Sequence, residues 1–173
     1  MKFLHPAVAV FAVCSLSTAA LSQRVRHITT LPAIPANAQA LPALQGDLEV
    51  AIESMKAALP IYDGYRVRSI NQAHETLVLV DRAISGANAA RRIKPSVTDH
   101  VGSANAHSKY TPQQIQASQT NMRKAADALA QAWKDLQSAA GSNPNQLAVK
   151  AANHLKLSQT DCGKAISIHS AQG

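Results

Sequence analysis

Apolar residues recur three or four positions apart in four stretches of the chain, namely 44–59, 65–85, 112–140 and 144–169. This spacing places them on one face of an α-helix. In the second stretch Val67, Ile70 and Ala73 begin a seam of heptad type. The pattern therefore predicts an all-α fold with four amphipathic helices at about these positions.

Turn and capping signals separate the four stretches. Pro60 ends or kinks the first helix, because proline has no N–H and clashes with the preceding turn. The sequence Thr-Pro-Gln-Gln at 111–114 is a capping box with proline at the first helical position. Asn-Pro-Asn-Gln at 143–146 repeats this arrangement, and Gly141 ends the third helix. These signals indicate separate helices with short connections inside each pair.

The long irregular segment 87–110 lies between the two helix pairs. We predict a four-helix up-and-down bundle, in which two helical hairpins at 44–85 and 112–169 are joined by this loop. The loop either crosses one end of the bundle or begins as an extension of the second helix. The bundle domain spans residues 44–173.

Residues 1–22 have the pattern of a secretory signal peptide. Lys2 gives a positive start, Ala7–Leu21 is almost wholly apolar, and Ala20-Leu21-Ser22 is a small-x-small end. A retained membrane anchor is the alternative, but its apolar run of about 15 residues is shorter than the roughly 20 that a spanning helix needs. Residues 23–43, with three prolines, are predicted to form a flexible Pro/Ala-rich linker.

Charge and cysteine content narrow the class of protein. The net charge is +7, and cleavage after Ser22 removes Lys2 and leaves +6 on 151 residues. A moderately basic exported protein is suited to contact with anionic lipid or another polyanion, although the charge also serves solubility alone.

Cys162 is the single thiol after residue 22, so no internal disulfide forms. We expect a buried, inert thiol, with an intermolecular disulfide or a catalytic thiol as alternatives.

The turn at 62–66 is the most distinctive local sequence, and we consider Tyr62, Tyr65, Arg66 and Arg68 as candidate ligand-binding residues. Hydroxyl and guanidinium groups near a helix N-terminus suit a carboxylate or phosphate. The alternative is that the tyrosines close the end of the bundle and fix the hairpin. Gly64 is expected to have a positive φ in either case.

A second candidate site is a basic cluster, which consists of Arg82, Arg91, Arg92 and Lys94. It lacks the interleaved aromatic residues on which single-stranded nucleic acid stacks, so no nucleic-acid partner is expected. Contact with an anionic envelope polymer or anionic lipid is the partner chemistry that this cluster suits.

No residue pattern indicates a metal site, a cofactor or a catalytic centre. Glu49 and Glu53 lie beside the apolar stripe of the first helix, and Glu-x-x-His spacing is absent. Asp99, His100 and His107 in the long loop lack metal-ligand spacing. Nucleophile elbows, phosphate loops and dinucleotide fingerprints are also absent.

These features predict an exported, non-enzymatic helical bundle with a binding or structural role in the cell envelope, as a monomer or homodimer. Its partner would be an envelope protein or an anionic polymer or lipid. A carrier of a small apolar or anionic ligand is an alternative, because alanine-rich seams leave space or else draw helices together. An enzyme using Cys162 or His154 is a third possibility.

The signal peptide predicts a defined mature N-terminus. Protein isolated from its own host should begin at Gln23, because the small-x-small sequence positions the cleavage after Ser22. Intact-mass analysis measures this directly, and a cut after Ala20 is the closest alternative. A chain that retains Met1–Ser22 would contradict export by cleavage.

Overall fold

The computed structural model describes residues 39–85, 94–99, 107–141, 144 and 146–170. These residues contain four α-helices, with no strand among them: α1 Ala40–Ala57, α2 Tyr65–Ser85, α3 Pro112–Ala140 and α4 Gln146–Ser170. A short 3-10 helix at His107–Lys109 precedes α3. The all-α four-helix bundle is confirmed. The predicted signal peptide and residues 23–38 of the predicted linker lie outside the described residues.

The first helix differs most from its predicted bounds of 44–59. It begins at Ala40, so the last four residues of the predicted linker are helical. Pro42 fits the first turn because N–H groups there have no intrahelical partner. The helix ends at Ala57, since Ala58 is extended and Leu59 precedes Pro60, where helical backbone is disfavoured.

The other helices begin and end close to the predicted residues. The predicted bounds of α2 and α3 agree with the structure, and α4 begins two residues later and ends one residue later than predicted. The capping box at the start of α3 is present: the Thr111 N–H donates to the Gln114 side chain at 2.8 Å, and the Gln114 N–H donates to Thr111 Oγ1 at 3.2 Å.

Cross-helix hydrogen bonds fix the direction of each helix. Asn121, near the start of α3, donates to the carbonyl of Ala57 at the end of α1, so these two helices are antiparallel. Ser69 pairs with Ser158 and Gln72 with His154, which makes α2 and α4 antiparallel as well. The two hairpins therefore pack side by side, with α1 against α3 and α2 against α4.

This arrangement separates the two ends of the connection between α2 and α3. We call the end that holds the α1–α2 turn, the start of α3 and the last turns of α4 the Tyr62 end. Because α2 runs away from this end and α3 begins at it, residues 86–111 join opposite ends of the bundle. Helices that pack on one another are antiparallel, whereas α2 and α3, which follow each other in the chain, run in the same direction.

The core between the helices is aliphatic and rich in alanine. Predicted seam residues such as Leu44, Met122 and Leu129 are fully buried. Ile84, which continues the heptad seam into the last turn of α2, is instead 45% exposed. None of the described helices is both long enough and apolar enough to cross a membrane.

A pair of buried serines joins α2 to α4. The Ser69 hydroxyl donates to the Ser158 carbonyl at 2.8 Å, and the Ser158 hydroxyl donates to the Ser69 carbonyl at 2.9 Å. Such reciprocal bonds require the two backbones to approach closely, which small side chains allow. Ser158, which interrupts the apolar face of α4 in the sequence, therefore fixes the register of this helix pair.

Replacing Leu129 by alanine should lower the free energy of unfolding by about 2–5 kcal/mol, because the side chain is fully buried and its loss leaves a cavity. Leu157→Ala is the matched control on an exposed position and should change stability by less than about 0.5 kcal/mol. Urea unfolding measures both. Equal midpoints for the two variants would contradict the assigned core face.

Candidate functional site

The turn between α1 and α2 has a backbone that depends on Gly64. Asp63 and Gly64 have φ values of 48° and 79°, in the left-handed region, so the predicted positive φ of Gly64 is confirmed. The Tyr65 N–H donates to the Tyr62 carbonyl at 2.9 Å, and the Arg68 N–H donates to the Gly64 carbonyl at 3.0 Å. This turn starts α2 directly after Gly64.

Tyr62 closes the end of the bundle. Its side chain is completely buried, and its hydroxyl is 2.7 Å from Ser118 Oγ on α3. Ser118 Oγ also accepts the Leu59 N–H at 2.8 Å, so one serine satisfies two groups of the turn. Burial raises the pKa of the Tyr62 hydroxyl, which keeps it protonated. These contacts agree with the structural role considered for this residue.

Arg66 is buried in an ion pair with Asp99 of the α2–α3 connection. Arg66 Nε donates to Asp99 Oδ1 at 2.7 Å, and the two side chains are 4% and 1% exposed. Arg66 Nη1 donates to the carbonyl of Met55 at 3.0 Å, and Nη2 donates to that of Thr98 at 2.7 Å. The guanidinium group therefore joins α1, α2 and the connection.

The other oxygen of Asp99 lies at the start of α2. Asp99 Oδ2 accepts the Val67 N–H at 3.4 Å. This N–H is in the first turn, where donors lack an intrahelical acceptor and the helix dipole favours negative charge. Asp99 thus caps the N-terminus of α2, although it lies far from this helix start in the sequence.

Arg68 and Lys164 of α4 lie on the outer surface, on either side of the half-buried ring of Tyr65. The Arg68 guanidinium carbon is 4.1 Å from the centre of the Tyr65 ring, and Lys164 Nζ is 5.7 Å from it. Arg68 is half exposed and lies 3.6 Å from the Asp161 carboxylate. Of the four candidate residues at the turn, Tyr62 and Arg66 are therefore buried, Tyr65 is half-buried and Arg68 is exposed.

A row of exposed side chains continues from Lys164 along α4. Lys150, Leu157 and Lys164 are seven residues apart, so they lie on one line of the helix. All three are exposed. We call Tyr65, Arg68 and this row the α2–α4 surface.

The predicted basic cluster is described only in part. Arg82 is exposed near the end of α2, and Lys94 is exposed in the connection. Arg91 and Arg92 lie outside the described residues. The described basic residues that the structure brings together are instead Arg68 and Lys164.

Cys162 is buried in the core, as its place on the apolar face of α4 predicted. Burial raises the pKa of its thiol from 9.0 to about 12, so the reactive thiolate is scarce near neutral pH. Its sulfur lies 3.7 Å from the Met122 carbonyl. His154 lies about two helical turns before Cys162 on α4. Its Nδ1 is 2.7 Å from Gln72 Oε1, so the partner of this histidine is Gln72 and not the thiol.

The interior next to the Tyr62 end holds little space. One pocket there has a volume of about 10 Å³ and is lined by Tyr62, Gln119, Met122, Arg123 and Ile166. This volume is about that of a single water molecule. Within the described part of the chain, no group of three His, Cys, Asp or Glu residues is placed to hold a metal ion.

Comparisons with protein families, with curated proteins and with solved structures found no match to this chain. Function is therefore inferred from the residues and contacts themselves. The feature with accessible chemistry is the α2–α4 surface, because Tyr62, Arg66 and Cys162 are buried.

Three of the contributing residues were not anticipated. In the sequence Asp99 stands next to a loop histidine, and neither Ser118 nor Lys164 belongs to a recognisable motif. A signal for Asp99 does exist, since Gly64 stands where a capping side chain usually begins a helix, and an acceptor is then required from elsewhere. Lys164 is seven residues from Leu157 on α4, but no local pattern shows that it meets Tyr65.

Two carboxyl groups meet between α1 and α3. The Asp47 carboxyl on α1 interacts with that of Asp135 on α3, and Gln131 Nε2 donates to Asp135 Oδ1 at 3.2 Å. Burial and the neighbouring Asp135 raise the pKa of Asp47 above its usual value of 3.8. Asp47 is therefore protonated at a higher pH in the folded chain than in the unfolded chain. The stability that this protonation contributes is lost as pH rises through the pKa of Asp47 in the folded chain.

Asp47→Asn should stabilise the protein at pH 7 by about 0.5–1 kcal/mol, because it removes a partly buried charge that lies beside the Asp135 carboxyl. The gain should shrink towards pH 4, because protonation removes the charge of Asp47 in the unaltered protein as well. Urea unfolding at both pH values measures it, with Asp127→Asn on the exposed side of α3 as control. A gain that grows on acidification would contradict the assignment.

Proposed function

We propose that this is an exported, non-enzymatic protein that binds the surface of an anionic membrane through its α2–α4 surface. The observation that carries the proposal is the combination on these helices of exposed cations, a half-buried tyrosine ring between two of them and exposed aliphatic side chains. Each of these groups suits a different layer of a lipid interface.

The charge distribution supports this choice of face. α2 and α4 together contain three acidic residues and six basic ones, of which only Arg66 is buried in an ion pair, whereas α1 and α3 contain four basic and five acidic residues. A membrane surface rich in anionic lipid attracts each nearby lysine or arginine by about 1 kcal/mol. The bundle would therefore approach such a surface with α2 and α4 foremost.

The exposed aliphatic side chains favour lipid over a soluble polymer. The large hydrophobic residues that are most exposed in the described chain are Ile84 at 45%, Val149 at 46%, Leu157 at 51% and Val50 at 43%. All but Val50 lie on α2 or α4. Leu157 stands between Lys150 and Lys164, so an aliphatic group would enter the interface while the ammonium groups contact lipid headgroups.

Tyr65 adds an interfacial group to the same surface. Its ring is flanked by Arg68 and Lys164, which keeps two cations beside an amphipathic side chain. Tyrosine is enriched at membrane interfaces because one end of its ring is apolar and the other is polar. The candidate ligand-binding residues that remain accessible thus contribute to one surface together with α4.

The exported protein should bind vesicles of phosphatidylglycerol and phosphatidylcholine, and binding should weaken as salt rises. The double variant Lys150→Gln/Lys164→Gln should lose about 25-fold in affinity, since each charge contributes about 1 kcal/mol. Co-sedimentation at fixed ionic strength measures this. Pure phosphatidylcholine vesicles should bind far less protein.

Matched variants on the other helices provide the controls. Lys124→Gln/Lys134→Gln removes the same charge from the exposed side of α3 and should change affinity less than about threefold. Leu157→Ser should weaken binding, whereas Val50→Ser on α1 should not. Equal losses from the two lysine pairs would show that only net charge matters and would contradict a defined binding surface.

A further inference from the structure

We propose that the segment Lys94–Asp99 is a strap that opens separately from the four helices and that Arg66 and Asp99 fasten it. Its opening uncovers the Arg66 charge at the Tyr62 end, the end of the bundle that also holds Tyr65, Arg68 and Lys164. The regulatory part of this inference rests on the proposed function, whereas the opening itself does not.

The contacts of the strap with the bundle are concentrated at one place. Lys94, Ser96 and Thr98 are exposed, and the segment is neither helix nor strand. Its hydrogen bonds run from Thr98 and Asp99 to Arg66 and to the adjacent Val67 N–H. A segment attached through one buried ion pair, its adjoining backbone bonds and one half-buried aliphatic side chain has low local stability compared with packed helices.

The half-buried aliphatic side chain belongs to Val97, which packs against the core. The buried part of this side chain becomes accessible to solvent only when the strap lifts away from the bundle. The helices do not need to separate for this, because α1, α2, α3 and α4 pack on one another through side chains other than those of the strap. Opening of the strap and unfolding of the bundle are therefore distinct events.

Opening changes the charge at the start of α2. In the closed state the Asp99 carboxylate neutralises Arg66, and Arg68 is the cation that faces outward. When Asp99 departs, Arg66 loses its counter-ion and becomes a further cation in the first turn of α2, which also carries Tyr65 and Arg68. In the closed state the Asp99 carboxylate therefore occupies the place at the start of α2 that an external anion would otherwise take.

A thiol placed on the strap tests the opening directly. We substitute Val97→Cys in the full exported chain and measure the rate at which the introduced thiol reacts with a water-soluble maleimide, by peptide mass analysis. Cys162 in the same molecule reports unfolding of the bundle, because it is buried between helices. Ser96→Cys, on an exposed position of the same segment, is the control for intrinsic reactivity.

The thiol introduced by Val97→Cys should react at least about tenfold faster than Cys162, since local opening is more frequent than global unfolding. Adding Asp99→Asn should raise the rate of the introduced thiol by about another tenfold, because a buried ion pair is strongly weakened by loss of one charge. The rate for Ser96→Cys should remain unchanged. If the introduced thiol and Cys162 react with the maleimide at equal rates in the protein that retains Asp99, the proposal is overturned. This outcome does not depend on the Asp99→Asn variant.

Vesicle binding tests the regulatory part. Asp99→Asn should bind phosphatidylglycerol vesicles about fivefold more tightly, as expected for one added positive charge. Ser96→Ala should bind as the unaltered protein does. Faster labelling at position 97 without tighter vesicle binding would overturn the regulatory part. If the unaltered protein binds no vesicles at all, the proposed function is wrong. The labelling rates still decide in that case whether the strap opens.

Discussion

The buried ion pair between Arg66 and Asp99 holds together three parts of the chain that are far apart in sequence. Desolvation of two charges is costly, so such a pair is stabilising only when its remaining donors and acceptors are also satisfied. Here the guanidinium group bonds to Asp99 and to two backbone carbonyls, and the second carboxylate oxygen accepts the Val67 N–H. The connection between α2 and α3, which joins opposite ends of the bundle, is therefore anchored at the Tyr62 end. The same arrangement makes the anchor dependent on a single side chain.

Close packing of small residues accounts for the rest of the fold. Alanine and serine at the helix contacts let α2 and α4 approach until Ser69 and Ser158 bond to each other's backbone. Tyr62 and Ser118 close one end in the same manner, with a buried hydroxyl pair. The side chains inside the bundle are thus engaged in packing, and the accessible chemistry lies on its outside. A surface-binding role follows more directly from this division than a role for the interior.

Helix positions were predictable because they depend on local signals. The capping box at Thr111 and Gln114 fixed the start of α3, and the proline after Leu59 indicated the end of α1 to within two residues. The start of α1 was missed because Pro42 was interpreted as a linker residue, although proline is compatible with a first helical turn. Partners across the bundle were not predictable: nothing near Asp99 or Lys164 in the sequence shows which residue it meets. These contacts depend on how the two hairpins pack, and they decide which candidate residues are buried.

Contact between an anionic lipid surface and one face of the bundle, formed by α2 and α4, is the central proposal. Nuclear magnetic resonance of the labelled protein with phosphatidylglycerol vesicles that contain a spin-labelled lipid tests it most directly, because broadening falls off steeply with distance. We expect strong broadening of the amides around Lys150, Leu157 and Lys164 and little effect on the exposed side of α3. Uniform broadening, or broadening centred on α1 and α3, would contradict it.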